Sequence, residues 1–217
     1  MASQQSPCRI LVMASGNGSN FQALIDAVSG GRIPNSRIIR LIVNRGKAYA
    51  TTRADQADIP WEYFNLIHDG FLPKGEKDEK KVKEAREKYD AALANKVLHE
   101  NQETPELVVL AGWMHPLEEA GIRVINLHPA LPGAYDGAGA IERAFNDFKA
   151  GKSTRTGIMV HYVITQVDRG EPIMVQEIEW QGEELPELEQ RIHSYEHELI
   201  VKATAKVAGE ILEKRAE

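Results

Sequence analysis

The sequence predicts an α/β fold, a mostly parallel twisted sheet with helices on both faces and an antiparallel C-terminal portion. Three observations carry this. Short β-branched runs alternate with stretches of helical periodicity, the pattern of βαβ units. One run, Leu107-Val108-Val109-Leu110-Ala111, is continuously apolar, as a strand covered on both faces must be. Two strand-like runs, 156–163 and 172–180, follow one another with no helix between them, which suggests an antiparallel edge.

The elements follow in order. Arg9-Ile10-Leu11-Val12-Met13-Ala14 reads as a strand that runs into the turn-forming stretch 15–20. Phe21, Leu24, Ile25 and Val28 then recur at spacings of three and four before Gly30-Gly31, an amphipathic helix with a glycine stop. A strand at 38–43, a helix at 49–57 and a short strand at 61–64 continue the alternation. The stretch 66–81 carries Gly70, Pro73, Gly75 and many charges, so a solvated loop leads into a helix bearing Val82, Tyr89, Leu93 and Val97. The apolar run 107–111 takes the centre of the sheet. A strand at 123–128 ends at Pro129, and a Gly/Pro-rich loop, 129–139, precedes a helix at 140–150. The last helix is long, with Leu188, Ile192, Tyr195, Leu199, Ala203, Val207 and Ile211 in register. No repeat and no domain-separating linker interrupts the chain, so 1–217 reads as one domain.

Composition bounds the function. With 217 residues, 42% hydrophobic and 27% charged, the chain can bury a sizeable core and is too apolar for whole-chain disorder. A net charge of −6 provides no global positive field, which argues against a nucleic-acid partner. Cys8 is the only cysteine, which excludes an internal disulfide and a multi-cysteine metal site and fits a reducing compartment. Residues 1–7 lack the apolar core of a signal peptide, and no run approaches the ~20 apolar residues of a membrane span. A cytoplasmic protein with no membrane partner is expected.

Four constellations could carry chemistry. Gly16-Asn17-Gly18-Ser19-Asn20, between a strand and a helix, sets backbone N–H groups beside the positive end of a helix dipole, which suits phosphate. No Lys follows the glycines as a P-loop requires, and Val43-Asn44-Arg45 stands where an NAD enzyme wants an acidic residue. A mononucleotide or sugar phosphate fits better, with a tight turn that binds nothing as the competing reading. Asn126 and His128 share one face at the carboxyl end of a strand, where open α/β sheets place their ligands. Such an amide can hold a developing oxyanion and such an imidazole can act as acid or cationic partner; a structural His bonded to a turn carbonyl is the plain alternative. Asp168 is either a turn residue capping its own backbone or, if its loop folds over the Asn126 strand, the group that keeps His128 protonated. His193 and His197 share a helical face, but a third zinc ligand is missing, so a solvated face is expected there and no metal.

Taken together, the motifs resemble the phosphoribosylglycinamide formyltransferase family. The matching text is 14–23, Val108-Val109-Leu110-Ala111-Gly112-Trp113-Met114, Ile125-Asn126-Leu127-His128-Pro129-Ala130-Leu131, 157–163 and Val167-Asp168-Arg169-Gly170, in order across nearly the whole chain. The glycine loop separates this family from relatives that formylate methionyl-tRNA or sugar nucleotides, and Ala130-Leu131-Pro132-Gly133 is similar to fungal members. The resemblance implies a Rossmann-like single formyltransferase domain, its N-terminal half holding nucleotide phosphate and its C-terminal half holding folate and the catalytic groups. By the same resemblance, Gly18, Ser19 and Asn20 hold the phosphate of glycinamide ribonucleotide, and Glu196 bonds its ribose. His193 stands where a Gln or Lys often assists. Arg86, Trp113, Met114 and the 165–170 loop, with Thr165, Val167 and Gly170, line the folate pocket.

Asn126, His128 and Asp168 match the family's catalytic trio. The implied reaction passes the formyl group of 10-formyltetrahydrofolate to the glycinamide amine, with Asn126 and protonated His128 on the oxyanion and Asp168 assisting the proton. Small-molecule substrates, no metal, and a monomer or weak homodimer go with it. Two other readings are a catalytically impaired phosphate-binding module of the same fold and a formyltransferase for another amine. Three departures stand out: a shortened 115–123 segment with His115-Pro116, Gly137-Ala138-Gly139 where a His is common, and His193 itself.

Overall fold

A computed structural model describes residues 5–100, 103–113 and 122–217. Seven strands form one sheet in the order β3-β2-β1-β4-β5-β6-β7. In chain order these are β1 (Cys8–Ala14), β2 (Ser36–Val43), β3 (Trp61–Tyr63), β4 (Leu107–Leu110), β5 (Arg123–His128), β6 (Arg155–Tyr162) and β7 (Pro172–Glu179). The first five pair parallel, while β6 pairs antiparallel with both β5 and β7. The expected α/β architecture, the central β4 and the antiparallel end are all present. Five helices accompany them among the described residues: α1 (Ser19–Ser29), α2 (Ala50–Gln56), α3 (Glu79–His99), α4 (Ala140–Lys149) and α5 (Leu185–Ala216). The shortened 115–123 segment lies mostly outside the described residues.

Alternation along β1 explains the layering. Ile10, Val12 and Ala14 enter a core shared with α1, α2, α4 and α5, whereas Leu11 and Met13 enter a second core built with α3 through Tyr89, Leu93 and Val97. A strand covered twice needs apolar residues at every position, and β1 and β4 are buried throughout but for Arg9. Asp78 caps α3 by accepting a 3.0 Å bond from Lys81 N–H, a contact worth about 1 kcal/mol. Val82 is half-buried.

The topology also dictates where a ligand can lie. From β1 the chain crosses to β2 on one side, and β4 later returns to the other side of β1. Loops leaving the carboxyl ends of β1 and β4 therefore diverge and open a crevice at this switch point.

Candidate active site

Two cavities meet at that crevice. The larger, of about 940 Å³, is lined by 15–20, Arg45, and Pro186, His193, Glu196 and His197 of α5. The second, of about 480 Å³, is lined by Arg86, Trp113, Asn126, His128, 137–140, His161, Val167 and Asp168. They share Gly112, Leu127 and Pro129, so the residues flanking Leu127 on β5 stand at the junction.

Asn126 and His128 reach the same cavity from alternate positions of β5, as their spacing predicts. The β6–β7 loop folds over the end of this strand and delivers Asp168. Its backbone is left-handed at φ 55°, a conformation Asp tolerates in turns, yet its carboxylate faces the cavity groups. Oδ2 lies 3.3 Å from His128 Nδ1 and accepts a 2.8 Å bond from Gly137 N–H. Oδ1 accepts from Asn126 Nδ2 at 3.2 Å. The three groups therefore converge, and the alternative in which Asp168 caps only its own turn does not hold.

The surroundings of His128 act on its protonation in both directions. Burial, the largest influence, lowers its pKa below the ordinary 6.5; the Asp168 charge and the Ala134 carbonyl pull the other way and are outweighed. Burial thus favours the neutral ring, against the pull of the Asp168 charge. Its Nδ1 faces acceptors and so carries the proton, which leaves Nε2, buried with no partner among the described residues, as a free lone pair. For Asp168, burial raises the carboxyl pKa, but the His161 ring, the Gly137 N–H and His128 outweigh it and hold the group ionised.

The glycine loop is braced from behind by α2. Ala50 N–H donates to the Gly16 carbonyl at 3.3 Å, and Arg53 donates to the Asn17 carbonyl through Nε and to Asn17 Oδ1 through Nη2, both at 2.9 Å. A trans amide points its C=O and N–H in opposite directions. With both carbonyls turned to α2, the N–H groups of Asn17 and Gly18 face away from it. Gly18 is left-handed at φ 74°, and a Cβ there would lie 2.7 Å from the Ala50 Cβ, so only glycine fits.

On α5, Glu196 is buried and accepts from Asn20 Nδ2 at 3.2 Å and from His193 Nδ1 at 2.9 Å. That bond raises the His193 pKa above 6.5 despite partial burial. The expected solvated face is thus incorrect at Glu196, because the helix presents it to the loop after β1. His193 and His197 belong to no group of three metal-ligating residues among the described ones.

Sequence comparison decides the family. A profile of formyl transferases matches residues 8–204. The chain belongs to the formyl transferase family. It is 44% identical to phosphoribosylglycinamide formyltransferase of Schizosaccharomyces pombe over 204 residues, covering 89% of this chain and 94% of that protein. It is 40% identical to the Saccharomyces cerevisiae enzyme of the same name over 216 residues, covering 94% and 98%. The crystal structure of phosphoribosylglycinamide formyltransferase from Campylobacter jejuni superposes with a TM-score of 0.75 at 26% identity, covering 94% of this chain and 99% of that one.

In this formyl transferase the residues expected at the site divide into three groups. Gly18, Ser19, Asn20, His193 and Glu196 gather around one cavity; Asn126, His128, Asp168, Arg86, Trp113 and Val167 gather around the other. Thr165 and Gly170 are not in the lining. Thr165 is exposed on the loop. Gly170 lies against β6, where a Cβ would come 1.6 Å from the Tyr162 carbonyl oxygen, so close packing there requires glycine. Met114 lies outside the described residues.

Sequence reasoning gave no role to His161. It is buried opposite Asn126 in the β5–β6 ladder, with Nε2 at 3.2 Å from Asn126 Nδ2 and Nδ1 at 2.8 Å from the Tyr162 carbonyl. Nδ1 therefore donates to that carbonyl, and Nε2 faces both the Asn126 amide and Asp168 Oδ1, the latter at 3.5 Å. The signal available in sequence was a polar residue inside the otherwise apolar strand 156–163, which strand pairing explains.

Proposed function

We propose that this chain transfers the formyl group of 10-formyltetrahydrofolate to the amine of glycinamide ribonucleotide. The observation that carries this reading is the junction of two cavities beside Asn126, His128 and Asp168. One cavity has a loop of N–H donors suited to a phosphate ester; the other is flanked by Trp113 and Val167, suited to a flat ring. Gly18, Ser19 and Asn20 hold the phosphate with His193, Glu196 takes the ribose hydroxyls, and Arg86, Trp113 and Val167 hold the folate.

The residues then divide the work. The amine attacks the formyl carbon, a C–N bond forms, and the carbonyl oxygen gains charge; the bond to N10 breaks as a proton moves from the amine to N10. Neutral His128 has its Nε2 lone pair free to take that proton, and the resulting imidazolium faces ionised Asp168 and the oxyanion. This places the charged His after attack, not before it. Asn126 Nδ2 is engaged by Asp168 and His161 at 3.2 Å. A charged oxygen is a strong acceptor, so the oxyanion takes one of these two N–H donors. Holding both reactants at one junction removes much of the entropic cost of a bimolecular transfer.

No described helix is long and apolar enough to cross a membrane. A cytoplasmic enzyme of one domain, monomeric or weakly dimeric, fits this reading. The test is a formyl-transfer assay on the purified chain with both substrates, beside Asn126→Ala and His128→Ala. Turnover by the parent and loss in both variants is expected. Ribonucleotide binding without product would overturn transfer, and near-parental turnover in both variants would overturn the assigned roles.

A further inference from the structure

The loop before α4 offers Asp168 no polar side chain from Gly137, Ala138 or Gly139, only main-chain N–H. Its backbone is left-handed at Tyr135, Gly137 and Gly139, with φ of 52°, 79° and 68°. This folding turns successive carbonyls toward one point. Arg143, in the first turns of α4, leans back over the preceding loop and fills that point. Its Nη2 lies 2.6, 2.8 and 2.9 Å from the carbonyl oxygens of Tyr135, Asp136 and Ala138, and 3.4 Å from that of Gly137. Converging carbonyl dipoles repel one another unless a cation lies among them.

One of these peptides links the cup to the catalytic centre. Arg143 holds the Asp136 carbonyl, so the N–H of the same trans amide, that of Gly137, points the opposite way. There Asp168 Oδ2 accepts it at 2.8 Å, and the same oxygen lies 3.3 Å from His128 Nδ1. Arg169 Nε donates to Asp136 Oδ2 at 2.7 Å and anchors the side chain of that residue. The peptide is thus clamped at its oxygen by one arginine and read at its nitrogen by the buried carboxylate.

We propose that Arg143 is a positioning residue for Asp168, acting through the 136–137 peptide. This rests on the reading of Asp168 as a participant in formyl transfer. Arg143 aims the one N–H donor that this loop gives Asp168, and so fixes the carboxylate rotamer that faces His128. The other groups facing Asp168 are His128 and the Asn126 amide from β5 and His161 from β6, while Asp136 and Arg169 pair with each other on the adjoining loops.

The experiment compares the full chain with Arg143→Met, Arg143→Lys and Asp168→Asn. Met keeps the apolar stem and removes the charge; Lys restores a cation at the cup. In R143M, kcat is expected to fall about tenfold or more, the size of one lost hydrogen bond to a charged group, while R143K recovers most of it. Followed by carbon-13 NMR, the Asp168 carboxyl titrates at higher pH in R143M than in the parent, and the Gly137 amide exchanges faster. If R143M does not fold, Arg143→Gln is read by the same measurements. A parental kcat with an unmoved Asp168 titration in the uncharged variant would overturn the proposal. So would equal loss in R143K and R143M with Asp168 unmoved, since the side chain would then serve only the loop's shape. D168N separates the two levels: normal turnover in D168N removes the catalytic reading itself, whereas a dead D168N beside an unaffected R143M removes only the inference.

Discussion

His128 Nδ1 and Asp168 Oδ2 lie 3.3 Å apart, with both side chains almost wholly buried. Strand β5 supplies one and the β6–β7 loop the other. The contact fixes the ring, and it gives the imidazolium a counter-charge once a proton arrives. Removing the ring should therefore cost more than a contact. His128→Ala is expected to lower kcat by about a hundredfold or more, the usual scale of a positioned general acid–base, with the parent's denaturation midpoint largely kept. Steady-state rates beside urea unfolding check this.

Because burial holds His128 below 6.5, the free enzyme has its base deprotonated at neutral pH. The acidic limb of kcat/KM should fall below the ordinary imidazole value, and a limb at or above 6.5 contradicts the assignment. Stability carries the same sign. The folded pKa is depressed, so the unfolded chain binds the proton first and stability declines as pH falls from 6.5 to the folded value. His128→Asn should flatten the dependence of unfolding free energy on pH across that window.

His193 behaves oppositely. Its pKa is raised by Glu196, so its charge persists above 6.5 and is lost as pH rises through the folded value. The KM for the ribonucleotide should increase over that rise, and His193→Gln should remove the dependence. Glu196→Gln, lacking the charge that holds the proton, should shift the inflection to lower pH.

The brace on the glycine loop predicts a split in kinetic constants. Arg53→Ala frees the Asn17 carbonyl, and the KM for the phosphorylated acceptor should rise about tenfold with kcat within a factor of two, as for loss of one positioned donor set. Competition by inorganic phosphate should weaken in parallel. An unchanged phosphate inhibition constant contradicts the brace.

Gly170→Ala tests the close packing of that residue against β6. A Cβ 1.6 Å from the Tyr162 carbonyl oxygen forces the loop off β6, with an expected loss of about 3 kcal/mol in unfolding free energy. A stable variant with a raised KM for folate would favour the pocket role instead.

Much of this was legible before any coordinate. Strand positions in β1, β4 and β5 follow from β-branched and apolar runs, helix positions in α1 and α5 from spacings of three and four, and the glycine loop from its residue types. These are local properties, set by backbone sterics and by which side of an element meets water. The pairing of Asn126 with His128 was equally local, because a strand repeats every two residues.

Convergence was not local. That Asp168 meets His128, that Arg143 turns the Gly137 N–H toward that carboxylate, and that His161 supports Asn126 depend on loops folding back over strand ends. Whether His128 is charged depended on it most of all. The sequence by itself determined the alternating elements, the glycine loop between strand and helix, and the placing of Asn126 and His128 on one face of a strand. Only the tertiary structure decided how deeply each is buried and which charges surround it, because desolvation and Coulombic attraction act through space and are blind to separation along the chain.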